Sequence, residues 1–202
     1  MEWIKVGILG YLLGSIPFGY IAGRLYKVDV RKYGSGNIGF TNVMRVIGIY
    51  PAAVVLFFDA LKGYVAAWYG YSVGNEVIAV LGALAAMAGH NWPFLLKFKG
   101  GRGVATGLGI IIFLSGKVTI GAVLIWIVIV ALTKYVSLGS IIAAAFVPLA
   151  MVYFQRPLPY TIFALVGASL VIIRHKTNIK RLFEGKENKI GNKVFASRGE
   201  EK

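Results

Sequence analysis

The sequence has no cysteine, only two histidines and only eight acidic residues among 202. Disulfide bridges and cysteine-ligated metal sites are therefore excluded, and a catalytic metal is disfavoured, so we expect neither a metal nor a cofactor. Charged residues make up only 15% of the chain, whereas hydrophobic residues make up 57%. Soluble domains carry roughly 25% charged residues. A soluble fold could not bury this much apolar surface, so the composition predicts an all-α integral membrane protein.

The few charges are strongly biased toward basic residues, with a formal net charge of +14. Such an excess is typical of proteins that bind nucleic acid or an anionic membrane surface. Here the basic residues cluster between and after apolar runs, which favours membrane lipid as the partner and no nucleic acid. The N-terminus carries Glu2 and Trp3 and lacks a small-residue cleavage pattern. It is therefore predicted to be a retained helix and not a signal peptide.

Apolar runs separated by short polar breaks predict a single polytopic domain of seven transmembrane helices. A span needs about 20 apolar residues, and the first three runs reach that length. Several later runs are short, and 104–114 alone cannot cross, so it is a half-helix behind a dipping basic loop or a re-entrant segment. Five spans is the alternative count. The predicted spans are 3–23, 51–70, 76–96, 104–114, 118–133, 140–154 and 160–173, followed by a tail over 174–202.

The loops between these segments differ in their content of lysine and arginine. With seven spans, one side receives every basic residue except Lys5, Lys62, Lys117 and Arg156. Because basic loops stay in the cytoplasm, the pattern predicts an external N-terminus and a cytoplasmic C-terminus.

The first polar loop contains GSGNIG at 34–39, a literal G-x-G-x-x-G, with an acid twenty residues later at Asp59. A dinucleotide site requires a strand before these glycines and a βαβ unit around them. The preceding KVDVRKY is polar, and Asp59 falls inside a predicted span, so this assignment is rejected. Glycines can still bring backbone N–H groups close to an anion. The candidate phosphate ligands of this loop are Ser35, Gly36, Asn37, Thr41, Asn42 and Arg45.

A second glycine-rich loop lies in GHNWPFLLKFKGGRGVATGLG, residues 89–109. Cations around glycines at a helix N-terminus are typical of phosphate sites, although no Walker motif is present. The alternative for both loops is a plain basic membrane loop. His90, at the end of the third span, either joins a site or caps the helix. The candidates here are His90, Asn91, Lys97, Lys99, Gly100, Gly101, Arg102, Gly103 and Thr106.

A third polar region combines SLGS at 137–140 with RHKTNIKRLFEGKENK at 174–189. It supplies Ser137 and Arg174 as binding candidates. His175 and Asn178 are three apart and share one helix face. His175 is either a general base or an interfacial anchor. Elsewhere, Asp59 and Lys62 lie three apart inside the second span, where we expect a structural ion pair.

Taken in order, these motifs resemble the bacterial acyl-phosphate-dependent glycerol-3-phosphate acyltransferase (PlsY) family over nearly the whole chain. The matching stretches are GSIPFGYIAGRL, GSGNIGFTNVMRVIG, DALKG, GHNWPFLLKFKGGRGVATGLG and RHKTNIKRLFEGKE. Arg102 departs from the family's GGKGVAT, and SLGS is a looser match. The resemblance implies transfer of an acyl group from acyl phosphate to glycerol 3-phosphate, giving lysophosphatidic acid and phosphate. It also implies a multi-pass enzyme of the bacterial inner membrane, with its active site on the cytoplasmic face.

The resemblance also suggests roles for particular residues. Ser35, Asn37, His175 and Asn178 are expected to be catalytic, and the cationic loops to hold phosphate. An acyl phosphate has a good leaving group, so direct attack needs no covalent intermediate, and the proton acceptor is His175, His90 or the phosphate itself. The alternatives are a transporter or channel for phosphorylated small molecules, or a lipid-binding scaffold. The oligomeric state is left open, and a monomer is compatible with the sequence.

Overall fold

The computed structural model describes residues 1–191 and contains helices but no strand over that range. Two single-turn 3₁₀ segments, Val30–Lys32 and Phe94–Leu96, lie in the two glycine-rich loops. Residues 192–202 of the predicted tail lie outside the described residues. The helices are α1 (Glu2–Gly14), α2 (Phe18–Leu25), α3 (Phe40–Ile47), α4 (Ile49–Ser72), α5 (Glu76–Asn91), α6 (Val104–Leu114), α7 (Gly116–Thr133), α8 (Val136–Tyr153), α9 (Leu158–Arg174) and α10 (Lys176–Phe183).

Five of the described segments are long and apolar enough to cross a membrane, which makes this an integral membrane protein. They are Glu2–Leu25, α4, Glu76–Leu96, α7 and α8. A sixth exists if α9 and α10, bent by 57° relative to each other, are counted as one span. Because α6 has only 11 residues, the seven-span count and the orientation of the termini stay predictions.

The first predicted span, 3–23, is not one continuous helix. It breaks between α1 and α2, where Ser15 ends α1 and Pro17 precedes α2. Proline lacks the N–H that would continue the helical hydrogen bonds. At the break, the carbonyl of Ile16 accepts hydrogen bonds from the Phe18 N–H at 3.2 Å and from Lys62 Nζ at 3.0 Å. The break therefore gives the buried Lys62 ammonium a partner from a neighbouring helix.

Glycines bring the central helices into backbone contact. A Cβ on Gly14 would overlap Ala86 of α5, and one on Gly109 would overlap Ala60 of α4. Lipid provides no hydrophobic force between helices, so close van der Waals packing of this kind holds membrane bundles together. The resulting core places α5 against α1, α4 and α9.

Three irregular segments meet at one end of the bundle: 26–39, 92–103 and 184–191. Arg45 Nη2 donates to the carbonyl of Asn188 at 3.1 Å, and the Ile190 N–H donates to the carbonyl of Lys134 at 2.8 Å. These bonds hold the last described residues against α3 and against the loop before α8. The geometry of this end is thus set by contacts between residues far apart in sequence, and the candidate site lies here.

Candidate active site

A cavity of about 380 Å³ opens among the three converging segments. One end is polar and contains Ser35, Asn37, Arg102 and His175, and the other end is an apolar arm between helices. The arm is lined by residues that include Leu108, Ile111, Ala122, Trp126, Val147 and Phe163. A single space therefore offers both a cationic pocket and room for a hydrocarbon chain.

Most residues predicted from sequence lie on this cavity, and a second group lies beside it. Those that line it are Ser35, Asn37, Thr41, Asn42, Arg45, His90, Arg102, Gly103, Ser137, His175 and Asn178. Those outside the lining are Gly36, Asn91, Lys97, Lys99, Gly100, Gly101, Thr106 and Arg174. Lys97 and Lys99 are exposed side chains of the second loop, so charge near the glycines did not distinguish cavity residues from surface residues.

The first loop is organised by Asn42, which is fully buried. Its Nδ2 donates to the carbonyls of Val30 and Tyr33 at 2.8 and 3.2 Å, and its Oδ1 accepts from the Ser35 N–H at 2.8 Å. Gly34 turns the chain at φ +61°, and a Cβ there would overlap Asn42 Oδ1. The amide of Asn42 thus holds Ser35 at the rim of the cavity and has little capacity left for a ligand.

Two helices begin at the cavity without a side-chain N-cap. Gly39 precedes α3 and Gly103 precedes α6, and neither supplies a side-chain acceptor for the first N–H groups. Gly103 has φ +81°, the left-handed region in which glycine avoids the steric penalty of a Cβ. The free N–H groups of a helix N-terminus, together with its dipole, favour an anion. Two uncapped helix N-termini, whose electrostatics favour an anion, therefore line one cavity.

Arg102 is the cation of the second loop that lines the cavity. Burial and the neighbouring Arg181 lower its pKa to about 10, so the guanidinium stays charged at neutral pH. Arg174 lies behind the loop and donates to the carbonyls of Gly100 and Gly101 at 2.9 to 3.1 Å. Arg174 therefore holds the loop in place, whereas Arg102 and the buried Arg45 supply positive charge to the cavity.

His175 lies between α9 and α10 and is 2% exposed. Burial, followed by the nearby Arg102, lowers its pKa to about 4, so the ring is neutral at pH 7. Its Nδ1 is 2.7 Å from the carbonyl of Val171, which requires the proton on Nδ1. The lone pair is therefore on Nε2, where it can accept a hydrogen bond from a substrate hydroxyl.

Glu187 lines the cavity but is absent from the predicted site residues. Its carboxylate accepts hydrogen bonds from Ser137 (3.0 Å), Asn178 (2.7 Å) and Arg181 (2.7 Å). Burial alone would disfavour the charge, but these hydrogen bonds outweigh it and hold the pKa of Glu187 below its usual range. The signal in the sequence was an acid, one of two, in the basic stretch RLFEGKENK.

Asp59 and Lys62 form the expected ion pair inside α4, with 2.6 Å between Oδ1 and Nζ. His90 Nδ1 lies 3.5 Å from the same carboxylate oxygen. Both charged side chains are at most 2% exposed, so the pair is cut off from solvent. Asp59 is therefore not a ribose ligand, and GSGNIG lies in an irregular loop without a strand. Among residues 1–191, no group of three His, Asp or Glu side chains could hold a metal ion.

The chain matches known proteins over most of its length. The model of the family described as Glycerol-3-phosphate acyltransferase matches residues 4–185. The chain is 48% identical over 190 residues to Glycerol-3-phosphate acyltransferase 2 of Moorella thermoacetica, covering 94% of this chain and 98% of that protein. It is 46% identical over 192 residues to Glycerol-3-phosphate acyltransferase of Desulforamulus reducens, covering 94% of this chain and 96% of that protein.

The fold is also similar to crystal structures of PlsY (YgiH), an integral membrane glycerol 3-phosphate acyltransferase. The glycerol 3-phosphate form gives a TM-score of 0.92 at 37% identity, covering 95% of this chain and 96% of that one. The lysophosphatidic acid form gives a TM-score of 0.89 at 36% identity, covering 95% of this chain and 97% of that one. On the family match and on this shared identity and fold, the chain belongs to the glycerol-3-phosphate acyltransferase family.

Proposed function

We propose that the protein transfers an acyl group from acyl phosphate to the 1-hydroxyl of sn-glycerol 3-phosphate, giving lysophosphatidic acid and inorganic phosphate. The observation that carries the proposal is that a single cavity contains both a cationic pocket and an apolar arm. An acyl phosphate has a phosphate head and a hydrocarbon tail, and this cavity offers complementary chemistry to both parts. Glycerol 3-phosphate is taken as the acceptor because relatives of the chain are named glycerol-3-phosphate acyltransferase.

The phosphate groups are bound by charge and by backbone N–H groups. Arg102 and Arg45 contribute guanidinium donors, and the N-termini of α3 and α6 contribute uncapped N–H groups. Such preorganised donors also stabilise charge that builds up as the phosphate departs. Ser35 and Asn37, on the rim, orient the reacting groups, while Asn178 completes the pocket beside His175.

The transfer proceeds by direct attack. The acceptor oxygen bonds to the acyl carbon, the bond from that carbon to the phosphate oxygen breaks, and phosphate leaves with the electron pair. His175 has a pKa of about 4, whereas the second pKa of a phosphomonoester is about 6. The departing phosphate is therefore the stronger base; it takes the proton of the attacking hydroxyl and leaves as hydrogen phosphate. His175 Nε2 accepts a hydrogen bond from the hydroxyl and orients it, and no covalent acyl-enzyme forms.

The site is assigned to the cytoplasmic face of the bacterial inner membrane. Nearly all lysines and arginines lie in the loops and tail at this end of the predicted spans, which agrees with the positive-inside rule. In this arrangement the N-terminus is outside, and the water-soluble acceptor reaches the polar end of the cavity from the cytoplasm. We assign the seventh crossing to α6, whose 11 residues require that the preceding loop dips into the membrane.

The test supplies purified protein with glycerol 3-phosphate and either acyl phosphate or acyl-CoA, and measures lysophosphatidic acid. We expect product with acyl phosphate and none with acyl-CoA. Ser35→Ala and His175→Ala should each reduce turnover strongly while the protein keeps its melting temperature in detergent. Ser169→Ala is the matched control, because Ser169 is exposed on α9 and bonds only its own helix, at Leu165.

Two results would contradict the proposal. A wild-type protein that forms no product from acyl phosphate would remove the assigned donor. Turnover of Ser35→Ala and His175→Ala equal to that of Ser169→Ala would remove the assigned site.

A further inference from the structure

We propose that His90 is a positioning residue: its buried imidazole, which lies beside Asp59, supports the loop 100–103 so that Arg102 faces a substrate phosphate. The inference rests on the proposed function. It gives a role to His90, Asp59 and Lys62, three buried polar residues of the helix bundle that the acyl transfer itself does not use.

The imidazole of His90 lies between a carboxylate and a backbone segment. Its Nδ1 is 3.5 Å from Asp59 Oδ1, and Lys62 Nζ holds that same oxygen at 2.6 Å from the other side. Lys62 also donates to the carbonyl of Ile16, which fixes the ammonium. On the opposite side of the ring, a Cβ on Gly101 would overlap Nε2 and approach Cδ2 to 2.9 Å. The ring thus fills the space between Asp59 and Gly101.

The backbone of the loop is held by the end of α5 as well as by Arg174. The Gly101 N–H donates to the carbonyl of His90 at 3.0 Å, while Arg174 binds the carbonyls of Gly100 and Gly101. A Cβ on Gly103 would lie 3.1 Å from Asn91 Oδ1. The loop is therefore clamped between the end of α5 and Arg174. Because Arg102 follows Gly101 directly, its position depends on the thickness of the imidazole beneath.

The ring of His90 also lines the cavity, so a positioning role has to be distinguished from direct contact with the substrate. Its Nδ1 lies 3.5 Å from Asp59, and its Nε2 edge packs against Gly101. In the proposed role His90 acts on the substrate through Arg102. A positioning role of this kind alters the binding of a phosphate more than it alters the chemical step.

A double-mutant cycle between His90 and Gly101 tests the inference. Gly101→Ala should raise KM for a phosphate substrate about tenfold or more, because the new methyl overpacks against the ring. His90→Ala should raise the same KM, because the loop loses its support. In the double variant the new methyl occupies space vacated by the ring. The fold-loss in kcat/KM of the double variant should therefore be smaller than the product of the fold-losses of the two single variants.

The matched control is Gly7→Ala, since a Cβ on that helical glycine meets nothing within 4 Å. It should behave as the wild type. Varying glycerol 3-phosphate at saturating acyl phosphate, and then the reverse, shows which of the two phosphates Arg102 binds. Losses that multiply in the double variant, or a fall in kcat with both KM values unchanged, would overturn the positioning role.

A second readout separates this inference from the proposed donor. The rise in melting temperature caused by glycerol 3-phosphate or by inorganic phosphate needs no acyl donor, and the same cycle can be measured with it. If the wild type shows this rise but forms no product from acyl phosphate, the proposed donor is wrong. The coupling between His90 and Gly101 is then decided by the ligand-induced shifts in melting temperature alone. Equal ligand-induced shifts in the wild type and His90→Ala would overturn the coupling.

Discussion

Removing one charge of the Asp59–Lys62 pair should destabilise the bundle far more than removing both. The two side chains are 2% and 1% exposed, and their charged atoms are 2.6 Å apart. In Asp59→Asn the ammonium keeps the Ile16 carbonyl at 3.0 Å but has no counter-charge. Breaking a buried pair in this way costs about 3–5 kcal/mol, whereas apolar replacement of both partners is often close to neutral.

The assay is thermal unfolding of purified protein in detergent, followed by tryptophan fluorescence. For a chain of this length, 3–5 kcal/mol corresponds to a fall in melting temperature of roughly 10 °C. We expect that fall in Asp59→Asn and in Lys62→Met, and a much smaller one in the double variant Asp59→Asn/Lys62→Met. A double variant that falls by the sum of the two single changes would refute the reasoning, because additivity means that the residues do not interact.

Three further predictions concern the cavity. Arg102→Ala should raise KM for a phosphate substrate about tenfold to a hundredfold, whereas Arg102→Lys keeps the charge and should lose much less; equal losses in steady-state kinetics would contradict this. His175 has a pKa of about 4, below its unfolded value of about 6.5. The unfolded chain therefore binds the extra proton, so stability falls as pH drops from 6.5 to 4, by about 3 kcal/mol in all. His175→Asn should show a shallower decline of melting temperature over that range, and an unchanged slope would contradict the buried neutral ring. Gly167→Leu should shift preference toward shorter acyl phosphates, measured by competition between two chain lengths, because a Cβ there already contacts Phe163 and Met87 at 3.5 and 3.6 Å.

The helices of the bundle were largely predictable, because long apolar runs have few alternatives in a chain so poor in charge. The break between α1 and α2 was not predicted, although Pro17 marked it in the sequence. Hydropathy averages over a window and does not register one missing N–H. The number of crossings could not be decided from α6. Its 11 residues complete a crossing only if the preceding loop lies deep in the membrane.

The candidate site was predictable where a loop combines glycine with polar residues, as at Ser35 and Arg102. It was not predictable which residues of those loops reach the cavity. Lys97 and Lys99 have the right charge but are exposed, whereas Arg102 of the same loop lines the cavity. The side to which a residue turns depends on backbone angles, such as φ +52° at Lys97 and φ +62° at Phe98, that the composition of a loop does not specify.

The contacts of Glu187 also depend on tertiary structure. Ser137 lies 50 residues earlier in the chain, and no local pattern links the two. An acid among basic residues is usually a solvated surface charge. Its burial against Ser137, Asn178 and Arg181 could be found only once the ends of α8 and α10 were placed together.

The position of Glu187 near the end of the described chain has a consequence for biogenesis. Chains fold from the N-terminus as they are synthesised, so α1 to α9 can insert into the membrane before residues 184–191 have left the ribosome. Until then Ser137 and Asn178 lack their carboxylate, and Arg45 lacks the carbonyl of Asn188. A nascent chain can therefore be fully inserted and still have an unfinished pocket. The pocket is complete only after residues 184–191 have been made and have closed over loops made long before them.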